Sequence, residues 1–167
     1  MFNRIWRASA NDASLYDELK SDVQAGESWV VILVAFAIAA VITSITSSFV
    51  DGVISFAIQI IGYLLMAFWA WLVGAVIGKG EGSFGEVQKA LAYPYALPAV
   101  LMAIPVIWLG IIVVLWFLVT MSTAIRETLG IGKGLTFFIV VSAMAISFGL
   151  LVVGPAAVAV FLSQALG

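Results

Sequence analysis

Few residues in this chain have side chains that could carry out chemistry, and several of them lie in one short polar segment. The 167 residues include no histidine and no cysteine, so the commonest general base, the commonest metal ligand and every thiol nucleophile are missing. Residues 80–85 read Gly-Glu-Gly-Ser-Phe-Gly and match the G-x-G-x-x-G pattern of dinucleotide-binding loops. That pattern binds a pyrophosphate where it joins a strand to a helix. Here it follows a long apolar run, so we expect no nucleotide and no other cofactor.

Carboxylates offer a second kind of site. Glu81, Glu86 and Glu127 could meet on one face and bind a cation, but Lys79 and Lys89 lie near the first two in the sequence. Carboxylates among cations are more often plain surface charge. An enzyme inside a membrane would need a carboxylate pair or a serine–lysine pair at depth, and no charged residue lies deep in any apolar run. We therefore predict no catalytic residue and no metal site.

The elements that must position these residues are long apolar runs. Hydrophobic residues make up 64% of the chain and charged residues 10%, which is far outside the range of soluble domains. Four uncharged runs occur, at 28–50, 52–78, 90–125 and 134–167. Each is longer than the roughly 20 residues that a helix needs to cross a bilayer, and period-two alternation is absent. We predict an all-α, polytopic membrane bundle, with a cytoplasmic segment over 1–27 and a transmembrane domain over 28–167.

The run 90–125 must turn back on itself. As one helix its 36 residues would be about 54 Å long, against a hydrocarbon core of about 30 Å. The likeliest turn by sequence is Ala103-Ile104-Pro105, and the whole chain then has five spans. They are expected at about 29–48, 53–77, 84–103 and 106–125, with the fifth from Leu135 past a Gly154-Pro155 kink toward Ser163.

Five spans place all seven basic residues on one side of the membrane. These residues are Arg4, Arg7, Lys20, Lys79, Lys89, Arg126 and Lys133. The positive-inside rule then predicts a cell-membrane protein with its N-terminus in the cytoplasm and its C-terminus outside. A count of four or six spans would break this partition. The net charge of −2 gives no basic surface for nucleic acid, so the lipid bilayer is the first expected partner.

The N-terminal segment predicts two amphipathic elements. Over 1–10, Phe2 and Trp6 are expected at the lipid headgroups while Arg4 and Arg7 stay in water. A helix is predicted over 12–25, with an apolar stripe at four-residue spacing and an acidic opposite face. The stripe could pack on the chain's own cytoplasmic loops or on a partner. A solvated helix resting at the interface is the favoured interpretation.

Polar and small residues inside the second span suggest contacts between helices. Gln59 is expected to form a hydrogen bond to another helix, as intramembrane amides usually do. Gly74 and Gly78 form a small-xxx-small pattern that would let another helix approach closely. The hydroxyl residues over 43–48 are expected to bond back to helix carbonyls, and a polar lining for a solute path is the alternative.

Two helix starts are marked by capping residues. Asp51 is expected to cap the second span, with Asp51-Gly52 as the turn before it. Ser83 with Glu86 fits a capping box that starts a helix near Phe84.

The third span contains the best candidate for a functional element. Pro94 and Pro98 lie inside it, and each removes a backbone donor and favours a kink that leaves carbonyl groups to be satisfied elsewhere. Tyr93 and Tyr95 flank the first proline. A kinked helix with two tyrosines could line a path or hold a ligand, and two prolines that only shape the bundle are an equally good explanation.

The polar segment and the third span resemble a known family. Gly-Glu-Gly-Ser-Phe-Gly-Glu-Val at 80–87, followed by Ala-Tyr-Pro-Tyr-Ala-Leu-Pro at 92–98, is similar to the Yip family, the five-span Ypt/Rab-interacting membrane proteins, and above all to its short prokaryotic members. Leu15-Tyr16-Asp17-Glu18 with Asp22 resembles their helix before the membrane. The stretch from Trp116 to Arg126-Glu127 resembles the end of their fourth span. Pro94 stands where the family has a glycine.

The resemblance implies a membrane adaptor that faces the cytoplasm, linked in eukaryotes to vesicle traffic and membrane shaping. The Tyr-Gly-Pro motif of the eukaryotic members is missing here, so Rab binding is not implied. We predict a non-enzymatic adaptor, scaffold or accessory subunit that binds other membrane proteins or copies of itself, with a small-solute or ion transporter or channel built on the third span as the alternative. The candidate interaction or structural residues are Gln59, Gly74, Gly78, Gly80, Gly82, Ser83, Phe84, Glu86, Tyr93, Pro94, Tyr95, Pro98, Arg126 and Glu127.

Overall fold

The computed structural model describes residues 1–21 and 25–149, and within them every regular element is helical. The helices are α1 (Phe2–Ser9), α2 (Ser14–Ser21), α3 (Ala25–Thr46), α4 (Phe49–Trp71), α5 (Phe84–Met102), α6 (Ile107–Leu129) and α7 (Lys133–Phe148). The last turns before the polar segment continue α4 as a π-helical stretch, Leu72–Ile77. The predicted all-α class is confirmed.

In the part of the chain that the structure describes, three helices are long and apolar enough to cross a membrane: Gly26–Thr46, Phe49–Ile77 and Ile107–Leu129. Helix α5 has 19 residues but is less apolar, because Glu86, Gln88 and Lys89 lie in its first turns. Helix α7 is a shorter apolar helix within the described residues. The predicted Gly154-Pro155 kink and the end of the fifth span near Ser163 lie outside the described residues.

The start of α4 differs from the prediction. The helix begins at Phe49, and its N-cap is Ser48, whose Oγ accepts a hydrogen bond from the Asp51 backbone N–H at 3.1 Å. The prediction that Asp51 is the N-cap is therefore wrong. Gly52 lies inside the helix rather than in a turn, and α3 packs closely against it: a Cβ there would lie 2.7 Å from the Ala40 carbonyl oxygen.

Helix α5 lies at the centre of the bundle and contacts α1, α2, α3, α4 and α6. Its residues from Val87 to Pro94 are all buried apart from Lys89, which is half-buried. A helix that protein surrounds on all sides needs no lipid-facing stripe, which accounts for its modest hydropathy.

Large apolar side chains face outward on the membrane-type helices. On α6 the exposed ones run from Ile107 to Val119 and then stop, since no residue between Thr120 and Leu129 is exposed. The N-terminal helices cause this change, because α1 and α2 both contact α6. Helix α6 therefore has an outward-facing apolar half and a second half enclosed by its own chain.

Candidate functional site

Helices α1 and α2 form a layer over one end of the bundle. Leu15, Tyr16 and Leu19 are buried where α2 meets α5 and α6, and the Trp116 indole N–H donates to the Ser9 carbonyl oxygen at 2.9 Å. The apolar stripe thus packs on the chain's own helices, and the favoured interpretation of a solvated helix at the interface is wrong. Burial raises the pKa of the Tyr16 hydroxyl, with the nearby Asp12 and Glu127 carboxylates adding to the shift.

Ion pairs fasten this N-terminal layer. Arg4 contacts Glu18 at 2.8 Å and Glu27, at the start of α3, at 2.6 Å. Arg7 contacts Asp12 at 2.8 Å and Glu18 at 2.7 Å. Both arginines turn toward these carboxylates, and their side chains stay 19% and 26% exposed, so they keep part of the expected contact with water. Hydrogen bonds from Arg7 lower the pKa of Asp12, with a second contribution from Ser14, and hydrogen bonds from Arg7 and then Arg4 lower the pKa of Glu18.

The outer face of α1 is apolar. Phe2 and Trp6 are 81% and 72% exposed, one helical turn apart, as expected for aromatic side chains at a membrane interface. The helix thus points its charges at the protein and its rings away from it.

The segment 78–83 docks on the end of α6. The Gly80 N–H donates to the Gly74 carbonyl at 3.0 Å, and the Glu81 N–H donates to the Leu129 carbonyl at 2.9 Å. A Cβ on Gly80 would lie 2.7 Å from that same Leu129 oxygen. The glycine is therefore required by the close approach of two backbones.

Gly74 and Gly78 accept neighbours from the same chain. A side chain on Gly74 would overlap Leu129, at the end of α6, and a Cβ on Gly78 would lie 2.6 Å from a methyl group of Leu135 in α7. The pattern does permit a close approach, as predicted. Among the described residues, the neighbours that come close are Leu129 and Leu135 of the same chain.

The predicted capping box is confirmed. Helix α5 begins at Phe84, the Ser83 N–H donates to the Glu86 carboxylate at 2.7 Å, and the Glu86 N–H donates to Ser83 Oγ at 3.3 Å. Gly82 precedes it with φ +155°, a conformation that favours glycine. The ring of Phe84 meets Trp71 edge-on at 6.2 Å between centroids.

The three loop carboxylates do not meet. Glu86 belongs to the capping box, Glu127 accepts from the Arg126 guanidinium at 2.8 Å, and Glu81 is exposed. Across residues 1–21 and 25–149, no group of three acidic, histidine or cysteine side chains is arranged to hold a metal ion.

Gln59 does not form the predicted bond to another helix. Its Nε2 donates to Ser55 Oγ, one turn earlier in α4, at 3.1 Å, and its Oε1 is buried without a partner among the described residues. A different amide joins the helices: Gln88 Nε2 of α5 donates to the Tyr63 hydroxyl of α4 at 3.1 Å, and that hydroxyl donates to the Gln88 carbonyl oxygen. Gln88 was missed because it reads as part of the polar segment. The one signal in the sequence that Gln88 is buried is its position beside Val87, shortly before the apolar run that begins at residue 90.

The prolines and tyrosines of α5 lie in the core. The helix is continuous through Pro94 and Pro98, both buried, and Tyr93 is 1% exposed. Tyr95 packs edge-on against three aromatic rings. These are Phe36 at 5.8 Å, Tyr63 at 5.4 Å and Phe117 at 5.3 Å between centroids.

A cavity of about 650 Å³ lies at the end of the bundle opposite the N-terminal layer. Its wall includes Gln59 and Ser55 from α4, Tyr95 and Pro98 from α5, and Phe117 from α6. The lining that the structure describes is uncharged and mainly apolar. Three of the predicted residues, Gln59, Tyr95 and Pro98, therefore meet at one site. Tyr93 and Pro94 lie in the packed core, and Arg126 pairs with Glu127 near the end of α6. The other predicted residues lie in or beside the 78–83 segment.

A model of the Yip1 domain matches residues 14–154. The chain belongs to the Yip1 family. This match confirms the resemblance seen in the sequence. It also agrees with the apolar helices described above, which would contact lipid. No curated protein and no solved structure matches this Yip1 domain.

Proposed function

We propose that this chain is a non-enzymatic membrane adaptor or scaffold of Yip type, with a cytoplasmic segment over 1–27 and a five-span domain over 28–167. The observation that carries the proposal is the N-terminal layer. Ion pairs hold α1, α2 and the start of α3 together, and the 78–83 segment is hydrogen-bonded to the end of α6. These parts form one ordered surface. The surface exposes Asp17 and Glu81.

The distribution of charge supports the orientation. The basic residues of the layer and its adjoining turns are Arg4, Arg7, Lys20, Lys79, Lys89, Arg126 and Lys133, and by the positive-inside rule this end belongs in the cytoplasm. Helices α3 to α7 follow one another through short turns, which supports five spans. The C-terminus then lies outside the cell membrane.

A photo-crosslinking side chain tests the adaptor role. Placed at Asp17 or Glu81 in living cells, it should yield one adduct of fixed mass, with another membrane protein or a second copy of the chain. The matched control is Ser47, which is exposed at the opposite end of α3 and should yield no such adduct. Adducts of many masses, or equal adducts from Ser47, would contradict the proposal.

The cavity favours a transporter as the second candidate. Polar groups at membrane depth can line a solute path, and Gln59 presents an unpartnered oxygen there. However, the described lining of the cavity does not include Leu91 and Met121, which are fully buried in the core. Solute flux in reconstituted vesicles that is lost in Gln59→Leu would favour the transporter over the adaptor.

A further inference from the structure

A second cavity, of about 380 Å³, forms a groove between α6 and α7 at the end covered by the N-terminal layer. Asn11, from the turn between α1 and α2, closes one side. Arg126 and Lys133 lie along the groove, and Val119 and Phe137 also line it. The groove therefore combines cationic and apolar residues.

The charged part of the groove favours an anion. The Arg126 guanidinium is paired with the Glu127 carboxylate, with 2.8 Å between Arg126 Nε and Glu127 Oε1. Lys133 is exposed, and none of the described carboxylates forms an ion pair with it. Two cations beside one carboxylate leave an excess of one positive charge, which a phosphate would neutralise.

A buried hydroxyl adds a second observation. Ser122 lines the groove between the charged and apolar parts, and its Oγ is buried with no hydrogen-bond partner in the described part of the chain. A buried polar group without a partner is costly, and a phosphate or ester oxygen of a ligand would accept a hydrogen bond from the Ser122 hydroxyl.

The apolar part fixes the kind of ligand. Val119 and Phe137 are each 55% exposed, and Val119 is the last exposed residue of α6 before the layer covers it. A soluble phosphate compound would leave these side chains without a contact, whereas an acyl chain would cover them.

We propose that this groove binds one anionic phospholipid from the leaflet on the side of the N-terminal layer. Its phosphate lies against Arg126 and Lys133, Ser122 donates to a phosphate or ester oxygen, and an acyl chain runs along Val119 and Phe137. Basic pockets between membrane helices suit anionic headgroups for these electrostatic reasons. The site does not depend on the proposed adaptor role.

Native mass spectrometry of the full chain in detergent tests this site, with phosphatidylglycerol and phosphatidylcholine of identical acyl chains as probes. Phosphatidylglycerol should form a one-to-one adduct that phosphatidylcholine does not match. Lys133→Gln should weaken that adduct about fivefold, since a basic residue near a membrane surface contributes about that factor. Phe137→Ser should weaken it as well.

The controls are neighbours outside the groove. Lys79→Gln removes another exposed cation of the same end, and Phe138→Ser removes another outward-facing ring of α7 that is 59% exposed; both should bind within twofold of the unchanged chain. Equal binding of the two lipids, or equal loss in Lys79→Gln and Lys133→Gln, would overturn the proposal. Displacement of the lipid by equimolar glycerol 3-phosphate would also overturn it, because the ligand would then be a soluble phosphate.

Discussion

The two ends of the bundle differ in their ion pairs, helix caps and spare volume. At the end of the N-terminal layer, Arg7 and Glu18 are ion-paired, Ser83 and Glu86 cap each other, and the backbone at Gly80 touches α6. At the opposite end a cavity of about 650 Å³ lies between the helices, and the Gln59 oxygen has no partner among the described residues. The ion pairs and helix caps of the layer therefore lie at one end of the bundle, and the larger of the two cavities lies at the other.

Because of this difference, the effect of a substitution on the free energy of unfolding should depend on where the substitution is made. Added volume should damage the packed end and be tolerated beside the cavity. A lost hydroxyl should matter only where it is hydrogen-bonded.

The largest effect is expected for Gly80→Ala. The new Cβ would lie 2.7 Å from the Leu129 oxygen and 2.9 Å from the Gly74 oxygen, and neither backbone atom can move aside cheaply. We expect a loss of about 3 kcal/mol in the free energy of unfolding, measured by thermal denaturation in detergent. Gly134→Ala is the control, since a Cβ there meets nothing within 4 Å. Equal stability of the two variants would contradict the close approach.

A pair of alanines in α5 compares the packed core with the cavity wall. Ala96 is 3% exposed within the core, so Ala96→Leu should lower the unfolding free energy by about 2 kcal/mol through overpacking. Ala99 lines the cavity, so Ala99→Leu should be neutral or stabilising. Thermal denaturation of both variants checks this, and equal destabilisation would mean that the cavity is not free space.

A pair of tyrosines tests the hydrogen bonds. Tyr63→Phe would remove the acceptor of the Gln88 side-chain amide in the core, at an expected cost of about 1–2 kcal/mol. Tyr95→Phe keeps the ring contacts and removes a hydroxyl beside the cavity, so its unfolding free energy should change by less than about 0.5 kcal/mol. Denaturation curves in detergent measure both, and the comparison fails if Tyr95→Phe costs as much as Tyr63→Phe.

The smallest effect is expected for pH. Arg7 lowers the pKa values of Asp12 and Glu18 below their ordinary values of 3.8 and 4.5. Because the pKa values are depressed in the folded state, the pairs stabilise the layer at neutral pH and lose that contribution as pH falls through the lowered values. Hydrogen exchange of residues 2–21 should therefore speed up in acid, and less so in Glu18→Gln. Exchange that is independent of pH after correction for the intrinsic rate would count against the ion pairs.

Local signals in the sequence predicted local structure well. Ser83 and Glu86 specify the start of α5 by themselves, because a capping box is complete within four residues. The start of α4 carries a comparable local signal, since Ser48 is followed three residues later by Asp51 and their side chains form a hydrogen bond at the helix start. The prediction followed the Asp51-Gly52 dipeptide, which is typical of turns, and missed this capping pattern.

The sequence did not show which side chains of different helices would contact each other. Gln59 and Gln88 are both amides near apolar runs, and only the packing of α4 on α5 determines which one bonds between helices. Likewise, Gly74 and Gly78 indicate that something approaches, but not that Leu129 and Leu135 do. The inward turn of Arg4 and Arg7 required knowing that Glu18 and Glu27 would lie beside them.

Labelling of single cysteines tests the proposed arrangement of the layer most directly, because the chain contains no cysteine of its own. A membrane-impermeant maleimide added to intact cells should label Ser47→Cys at once and should label Asp17→Cys and Lys79→Cys only after lysis. Labelling of Asp17→Cys or Lys79→Cys in intact cells, or protection of Ser47→Cys there, would contradict a cytoplasmic N-terminal layer and the adaptor role built on it.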